Sequence, residues 1–160
     1  MKKQKTVENL EAAFAGESMA NRKYLYFARL ARLKGDEEVA KLFEGTADEE
    51  TAHAFAHLSQ LYPAESLEVT DLLRIAMEGE LYETNEMYPE FAKVARAEQQ
   101  TAAVDEFVEQ AKESAGHARL FKDQLVKSEK RFVGLAKVEK RHADRYADAL
   151  HKRSGDRAAE

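Results

Sequence analysis

Glu50 and His53 stand three residues apart within GTADEETAHAFAHL, and Glu80 and Glu83 stand at the same spacing within GELYE. On a helix, a three-residue step puts both side chains on one face, about one turn apart. Carboxylate plus imidazole on one helix, facing carboxylates on another, is how helical bundles hold two metal ions in their interior. Carboxylate oxygen and imidazole nitrogen suit iron and manganese, and a carboxylate can bridge two ions. Glu17 belongs with these groups. It falls inside an apolar stripe of Leu10, Phe14, Tyr24, Phe27 and Ala31, where a lone charge would be costly. Divalent ions among the glutamates would balance that charge.

Taken singly, each pair reads as a solvated helix face, and Asp48, Glu49 and His57 are read that way here. The joint arrangement reverses this. Glu17 and Glu50 lie almost symmetrically about a turn at Gly35, and Glu83 and Glu113 about a turn near Glu98. Two antiparallel hairpins would bring all four to one level. Tyr24 and Tyr88 each follow a Gly-Glu pair by about two turns, close enough for a hydroxyl to reach the site.

The elements that must position these residues are helices. Only two prolines occur, Pro63 and Pro89, and no stretch alternates with the period of a strand. A first helix is expected from about Thr6 to Leu33, stopped by Lys34-Gly35-Asp36, and a second to about Tyr62, with a turn over Leu61–Ser66. A third should run from Ser66 or Thr70 to Ala97, with a kink at Pro89. The polar stretch Ala97–Thr101 leads into a fourth, and a break around Lys127-Ser128-Glu129-Lys130 separates it from a fifth ending near His151. The expected fold is an all-α, four-helix bundle with an additional C-terminal helix. Residues 1–152 would form one domain and 153–160 a flexible tail.

Composition narrows the function. The 160 residues carry 25 basic and 30 acidic side chains, a net charge of −5, which argues against a nucleic-acid partner. No cysteine is present, which excludes disulfides, thiolate zinc and iron–sulfur ligation within these residues. After Lys2, Lys3 and Lys5 the chain turns amphipathic, unlike a signal peptide, and no run approaches the length of a membrane span. A cytoplasmic protein with no membrane partner is expected.

Two internal repeats organise the chain. Gly16-Glu17 matches Gly79-Glu80. With a one-residue slip, Phe43, Ala47, His53 and Ala54 match Phe107, Ala111, His117 and Ala118. A second repeat relates Phe107, Ala111, His117, Ala118, Phe121 and Leu125 to Phe132, Ala136, His142, Ala143, Tyr146 and Leu150. The Glu-x-x-His pattern therefore occurs as Glu50/His53 and Glu139/His142. In the copy between them, Ser114/His117, serine stands in place of glutamate and Glu113 lies beside it.

The segments AFAGESMANRKYLYFARLA, TADEETAHAFAH, AMEGELYETNEMYPEFAKVAR and GLAKVEKRHADRY resemble the rubrerythrin family of ferritin-like di-iron proteins. The resemblance places the family's metal ligands on Glu17, Glu50, His53, Glu80 and Glu83, and its site-lining tyrosines on Tyr24 and Tyr88. One of the Glu80/Glu83 pair corresponds to a glutamate associated with redox-linked ligand exchange. The family's last Glu-x-x-His should fall near residues 113–117. Serine cannot replace a bridging carboxylate, so Glu139 and His142 are expected to complete the site, with Glu113 and His117 the alternative.

The implied cofactor is a pair of iron ions, with manganese or zinc possible. The implied reaction is reduction of hydrogen peroxide by a homodimer. With no cysteine there is no internal rubredoxin-type relay, so electrons would come from an external rubredoxin or reductase. The rival readings are a ferroxidase using O2 and a metal-binding bundle without turnover.

Overall fold

The computed structural model describes residues 4–156 of the chain, with side chains through residue 147. All regular structure among these residues is helical, as expected. The chain divides into two compact units, residues 1–67 and 68–160.

The first unit is a hairpin of α1 (Lys5–Leu33) and α2 (Glu37–Leu61). Its turn follows from one glycine. Gly35 adopts a φ of 82°, a left-handed conformation that side chains resist. That lets the Gly35 N–H reach Arg32 O and the Asp36 N–H reach Ala31 O, both at 3.0 Å, closing the last carbonyls of α1. Asp36 then caps α2 by accepting from the Val39 N–H at 3.0 Å. Between the helices lie alanines: Ala28, Ala31, Ala40, Ala47 and Ala54 are the buried apolar residues of this unit. Small side chains let the two backbones approach closely. Phe43 closes the turn end, with its ring centroid 5.9 Å from Tyr24 and 5.6 Å from Phe27.

After a short 3-10 turn, Ala64–Ser66, the second unit repeats this plan. It consists of α3 (Val69–Tyr82), a π turn (Glu83–Met87), α4 (Tyr88–Ala97) and α5 (Thr101–Asp156). Ala92, Ala95 and Ala118 are buried and match Ala28, Ala31 and Ala54. Phe107 contacts Tyr88 at 6.2 Å and Phe91 at 5.6 Å, as Phe43 contacts Tyr24 and Phe27. The turn into α5 also recurs. Gln99 takes the place of Gly35 with a φ of 58°, and the Gln100 N–H reaches Ala95 O at 2.9 Å.

The π turn explains the one-residue slip in the repeat. Up to Gly79-Glu80 the two units match without insertion. From Tyr88 onward every match lies one residue further along, and the extra residue sits in the wide turn. Pro89 stands in the first turn of α4 and has no N–H to close an ordinary helical bond. The chain instead makes the longer step, with the Tyr88 N–H bonded to Glu83 O. The helix expected to kink at Pro89 is thus two helices joined through a π turn.

The break expected at Lys127–Lys130 is absent. Residues 101–156 form one helix of 56 residues, and Ser128 within the expected break is 4% exposed. Nothing in Lys-Ser-Glu-Lys forces an end, because it holds neither glycine nor proline. The fifth expected helix is therefore the continuation of α5. Of the expected tail at 153–160, residues 157–160 lie outside the described residues.

The two turns make a reciprocal prediction. Gln99→Gly should raise stability by about 0.5–1 kcal/mol by relieving a strained side chain. Gly35→Gln should lower it by about 1–2 kcal/mol. Chemical denaturation of each variant measures both.

Candidate metal centre

In the first unit, Glu17 from α1 meets Glu50 and His53 from α2, and one ligand atom from each lies within 4.8 Å of the others. The spacing of Glu50 and His53 places the His53 Nδ1 2.9 Å from Glu50 Oε2. Glu50 is largely covered, at 16% side-chain exposure, while His53 is 59% exposed. The hydrogen bond to Glu50, then burial, then the Glu50 charge hold the Glu17 carboxyl above its ordinary range. Hydrogen bonds from His53 and Glu17 hold Glu50 below that range. The hydrogen bond to Glu50 raises His53. Two carboxylates in contact thus diverge in acidity, with Glu17 the weaker acid of the pair.

A polar clamp beside the cluster fixes the register of the hairpin. Asn21, one turn after Glu17, donates to Ala47 O at 2.7 Å and to Thr51 Oγ1 at 2.9 Å. Thr51 Oγ1 itself donates to Ala47 O at 3.2 Å. Neither residue stands out in the sequence. The repeat is the one signal for them, since Thr84 Oγ1 donates to Ala111 O at 3.4 Å in the second unit.

The second unit assembles a related cluster from α3, the π turn and α5. His117 Nδ1 lies 3.4 Å from Glu80 Oε2, with side-chain exposures of 54% and 22%. That Glu80 oxygen is sealed from solvent without a hydrogen-bond partner. Ser114, 4% exposed, donates to Glu83 Oε2 at 2.8 Å. Where the first unit pairs two carboxylates, this one pairs a carboxylate with a hydroxyl. Tyr88 is half-buried, and burial followed by the charges of Glu83 and Glu80 raises its hydroxyl pKa. Tyr24 packs on Phe43. Neither hydroxyl hydrogen-bonds a carboxylate among the described residues.

The remaining expectations divide. Glu113 is exposed, as are Glu139 and His142. With α5 unbroken, His142 lies about 38 Å beyond His117 at 1.5 Å per residue. The expectation that both Glu-x-x-His copies share one level falls with the break that would have folded them together. His57 was read as a surface residue. Instead it is half-buried, with Nδ1 sealed from solvent and unpaired.

The donor groups fit divalent metal. A buried carboxylate oxygen without a hydrogen bond and two glutamates in contact are each demands that a cation can meet, and the set of carboxylate and imidazole suits iron, manganese or zinc. The sequence profile of the rubrerythrin family matches residues 8–125. The chain belongs to the rubrerythrin family. It is 38% identical over 128 residues to nigerythrin of Nitratidesulfovibrio vulgaris, a match covering 72% of this chain and 63% of that protein. It is 37% identical over 134 residues to a rubrerythrin of Porphyromonas gingivalis, covering 76% of this chain and 66% of the relative. The chain thus spans just under two thirds of either relative. A solved structure of fully reduced, all-ferrous nigerythrin aligns at a TM-score of 0.40 and 31% identity, covering 81% of this chain and 70% of that one.

The contact between these groups has a pH consequence. The His53 pKa is raised above its ordinary 6.5 in the folded chain. Its stabilising contribution is therefore complete below pH 6.5 and is lost as pH rises through the raised value. Glu17, also raised, acts in the same direction from its own ordinary value upward. Metal-free protein should lose thermal stability as pH rises above about 6.5, and His53→Gln should flatten that loss. Bound divalent metal should reverse it, because metal takes the place of the protons. Melting curves across pH, with and without metal, test this.

Proposed function

We propose that this protein is a rubrerythrin-type oxidoreductase that reduces hydrogen peroxide at a di-iron centre with electrons from an external protein donor. The observation that carries this reading is the Glu17/Glu50/His53 cluster, in a chain of the rubrerythrin family. Glu17, Glu50 and His53 supply ligands in the first unit, and Glu80, Glu83 and His117 supply ligands in the second. Glu139 and His142 stay outside this set, because the unbroken α5 carries them far along the helix from His117, and Glu113 is kept as the alternative carboxylate beside His117. The ferrous pair, when bound, supplies two electrons and Lewis acidity to the O–O bond.

The protein's own groups manage charge, protons and orientation. Glu17 and Glu50 in the first unit, and Glu80 and Glu83 in the second, carry the negative charge that would offset divalent ions. Metal competes with protons for these carboxylates and for the imidazoles, so affinity rises with pH. The Tyr88 hydroxyl, its pKa raised by burial and by Glu83 and Glu80, keeps its proton and is the donor available to an oxygen leaving with negative charge. Ser114 holds one Glu83 oxygen, and so orients that carboxylate through its outer edge. The other oxygen is left for metal. These 160 residues contain no cysteine and so hold no thiolate-bound iron themselves, and the electrons for re-reduction come from a donor such as a rubredoxin or a reductase. Homodimer assembly belongs to this reading, supported by large apolar side chains such as Leu42 and Leu120, each 67% exposed.

Two experiments test the proposal. Glu50→Ala should lower bound iron clearly below two per chain, and Glu83→Ala should do the same, by metal analysis of anaerobically purified protein. Full iron in both variants would place the centre elsewhere. In stopped-flow oxidation of the ferrous protein, peroxide should react at least about 10-fold faster than O2, a difference of about 1.4 kcal/mol in barrier. Equal rates, or a faster reaction with O2, would instead assign a ferroxidase.

A further inference from the structure

One place on the repeat reverses its charge between the two units. In the first unit the Arg32 guanidinium is held by two carboxylates. Glu44 accepts from Nη1 and Nη2 at 2.6 Å each, and Glu37 accepts from Nε at 3.0 Å and from Nη2 at 3.2 Å. With the one-residue slip, Arg32 corresponds to Arg96, and Glu37, Glu44 and Asp48 correspond to Thr101, Val108 and Lys112. One cation among three carboxylates has become two cations with no carboxylate. The Arg96 guanidinium accordingly has no ion pair or hydrogen bond among the described residues.

Val108, in the place of Glu44, also lines a cavity. A cleft of about 280 Å³ in the second unit is walled by Tyr88, Ala92, Phe107 and Val108, with the exposed Arg96 and Lys112 completing it. That volume lies at the small end of ligand pockets. Lys112 also meets Glu109 at 3.0 Å, but both side chains are more than half exposed, and such pairs hold weakly. Its ammonium keeps further donors. The cleft thus joins apolar walls to two cations, in a chain whose net charge is −5.

We propose that this cleft binds a small organic carboxylate, its charged end on Arg96 and Lys112 and its apolar body against Phe107 and Val108. The first unit displays the recognition chemistry, since the matching arginine grips one carboxylate through two parallel N–H bonds. An inorganic anion would satisfy the cations but leave the apolar walls unused. Tyr88 bounds the cleft, and its N–H is bonded to Glu83 O, so the site adjoins the π turn that carries Glu83. Binding there requires neither metal nor an electron donor.

The test is a nuclear magnetic resonance titration of the full-length, metal-free protein with benzoate, benzamide, acetate and phosphate at constant ionic strength. Benzoate should move the amide signals of Ala92, Val108 and Lys112, with a Kd of about 1 mM or tighter. Benzamide lacks the charge, and acetate and phosphate lack the apolar body, so each should bind at least about 10-fold more weakly. Arg96→Gln should weaken benzoate by about 10-fold or more, the loss of a charge-assisted pair. Val108→Glu, which restores the residue of the first unit, should do the same by occupying Arg96 from within the chain. Arg32→Gln should leave benzoate binding unchanged. Circular dichroism confirms that the variants keep their helices, and either Arg96→Gln or Val108→Glu decides the test alone if the other unfolds. Absence of benzoate binding, or binding that these two variants leave unchanged, would overturn the site. Equal binding of benzamide would overturn the role of the cations, and equal binding of phosphate would overturn the ligand class.

Discussion

The structure turns on placing carboxylates between helices that otherwise touch through alanine. Ala47 and Ala54 bracket Glu50 on α2 and are 0% and 8% exposed, so the two backbones stand close where Glu17 and Glu50 meet. At that distance two ionised carboxylates repel strongly unless a proton or a cation stands between them. Without metal, the His53 contact supplies part of that compensation, and the remaining repulsion holds the Glu17 carboxyl above its ordinary range. Everything nearby serves that contact. Asn21 and Thr51 lock the register, and the Gly35 turn sets the hairpin so that Glu17 and Glu50 fall level.

The second unit solves the same problem with different residues. Ser114 occupies the place that Glu50 holds in the first unit, and it satisfies Glu83 with a neutral hydroxyl rather than a second charge. The lost carboxylate is offset by Glu83 itself, which has no glutamate counterpart in α1. Glu83 opens the π turn, where one extra residue enters the helix. The insertion shifts the following aromatic and alanine positions by one, and the hairpin then resumes the pattern of the first unit. A wide turn at a ligand-bearing position is a common way to re-aim a side chain without ending a helix.

Much of this was legible in the sequence. The all-α class followed from the absence of strand patterning, the first turn from Lys34-Gly35-Asp36, and the Glu17/Glu50/His53 cluster from spacing about that turn. The one-residue slip in the repeat was visible, but its physical cause was not, because a π insertion has no residue signature apart from the nearby Pro89. The continuous α5 was missed for the opposite reason. A polar stretch such as Lys127–Lys130 resembles a loop by composition, yet it holds neither glycine nor proline, and its one capping-type residue, Ser128, is buried within the helix. Once the break is removed, Glu139 and His142 stand far along the same helix from His117, and motif quality alone cannot bring them back.

His57 shows the limit most clearly. On α2 alone it has the ordinary look of a solvated histidine, one polar residue among Ala56, Leu58 and Ser59. Its burial is a property of the hairpin rather than of the helix, since the face it occupies is decided by where α1 lies. The same holds for Ser114, whose meaning changes from a lost ligand to a carboxylate partner only when α3 and α5 are paired. Motif reading found the residues that would carry charge to the centre. The residues that set the terms for that charge, Asn21, Thr51 and Ser114, depend on neighbours from another helix, and so emerge only from the fold.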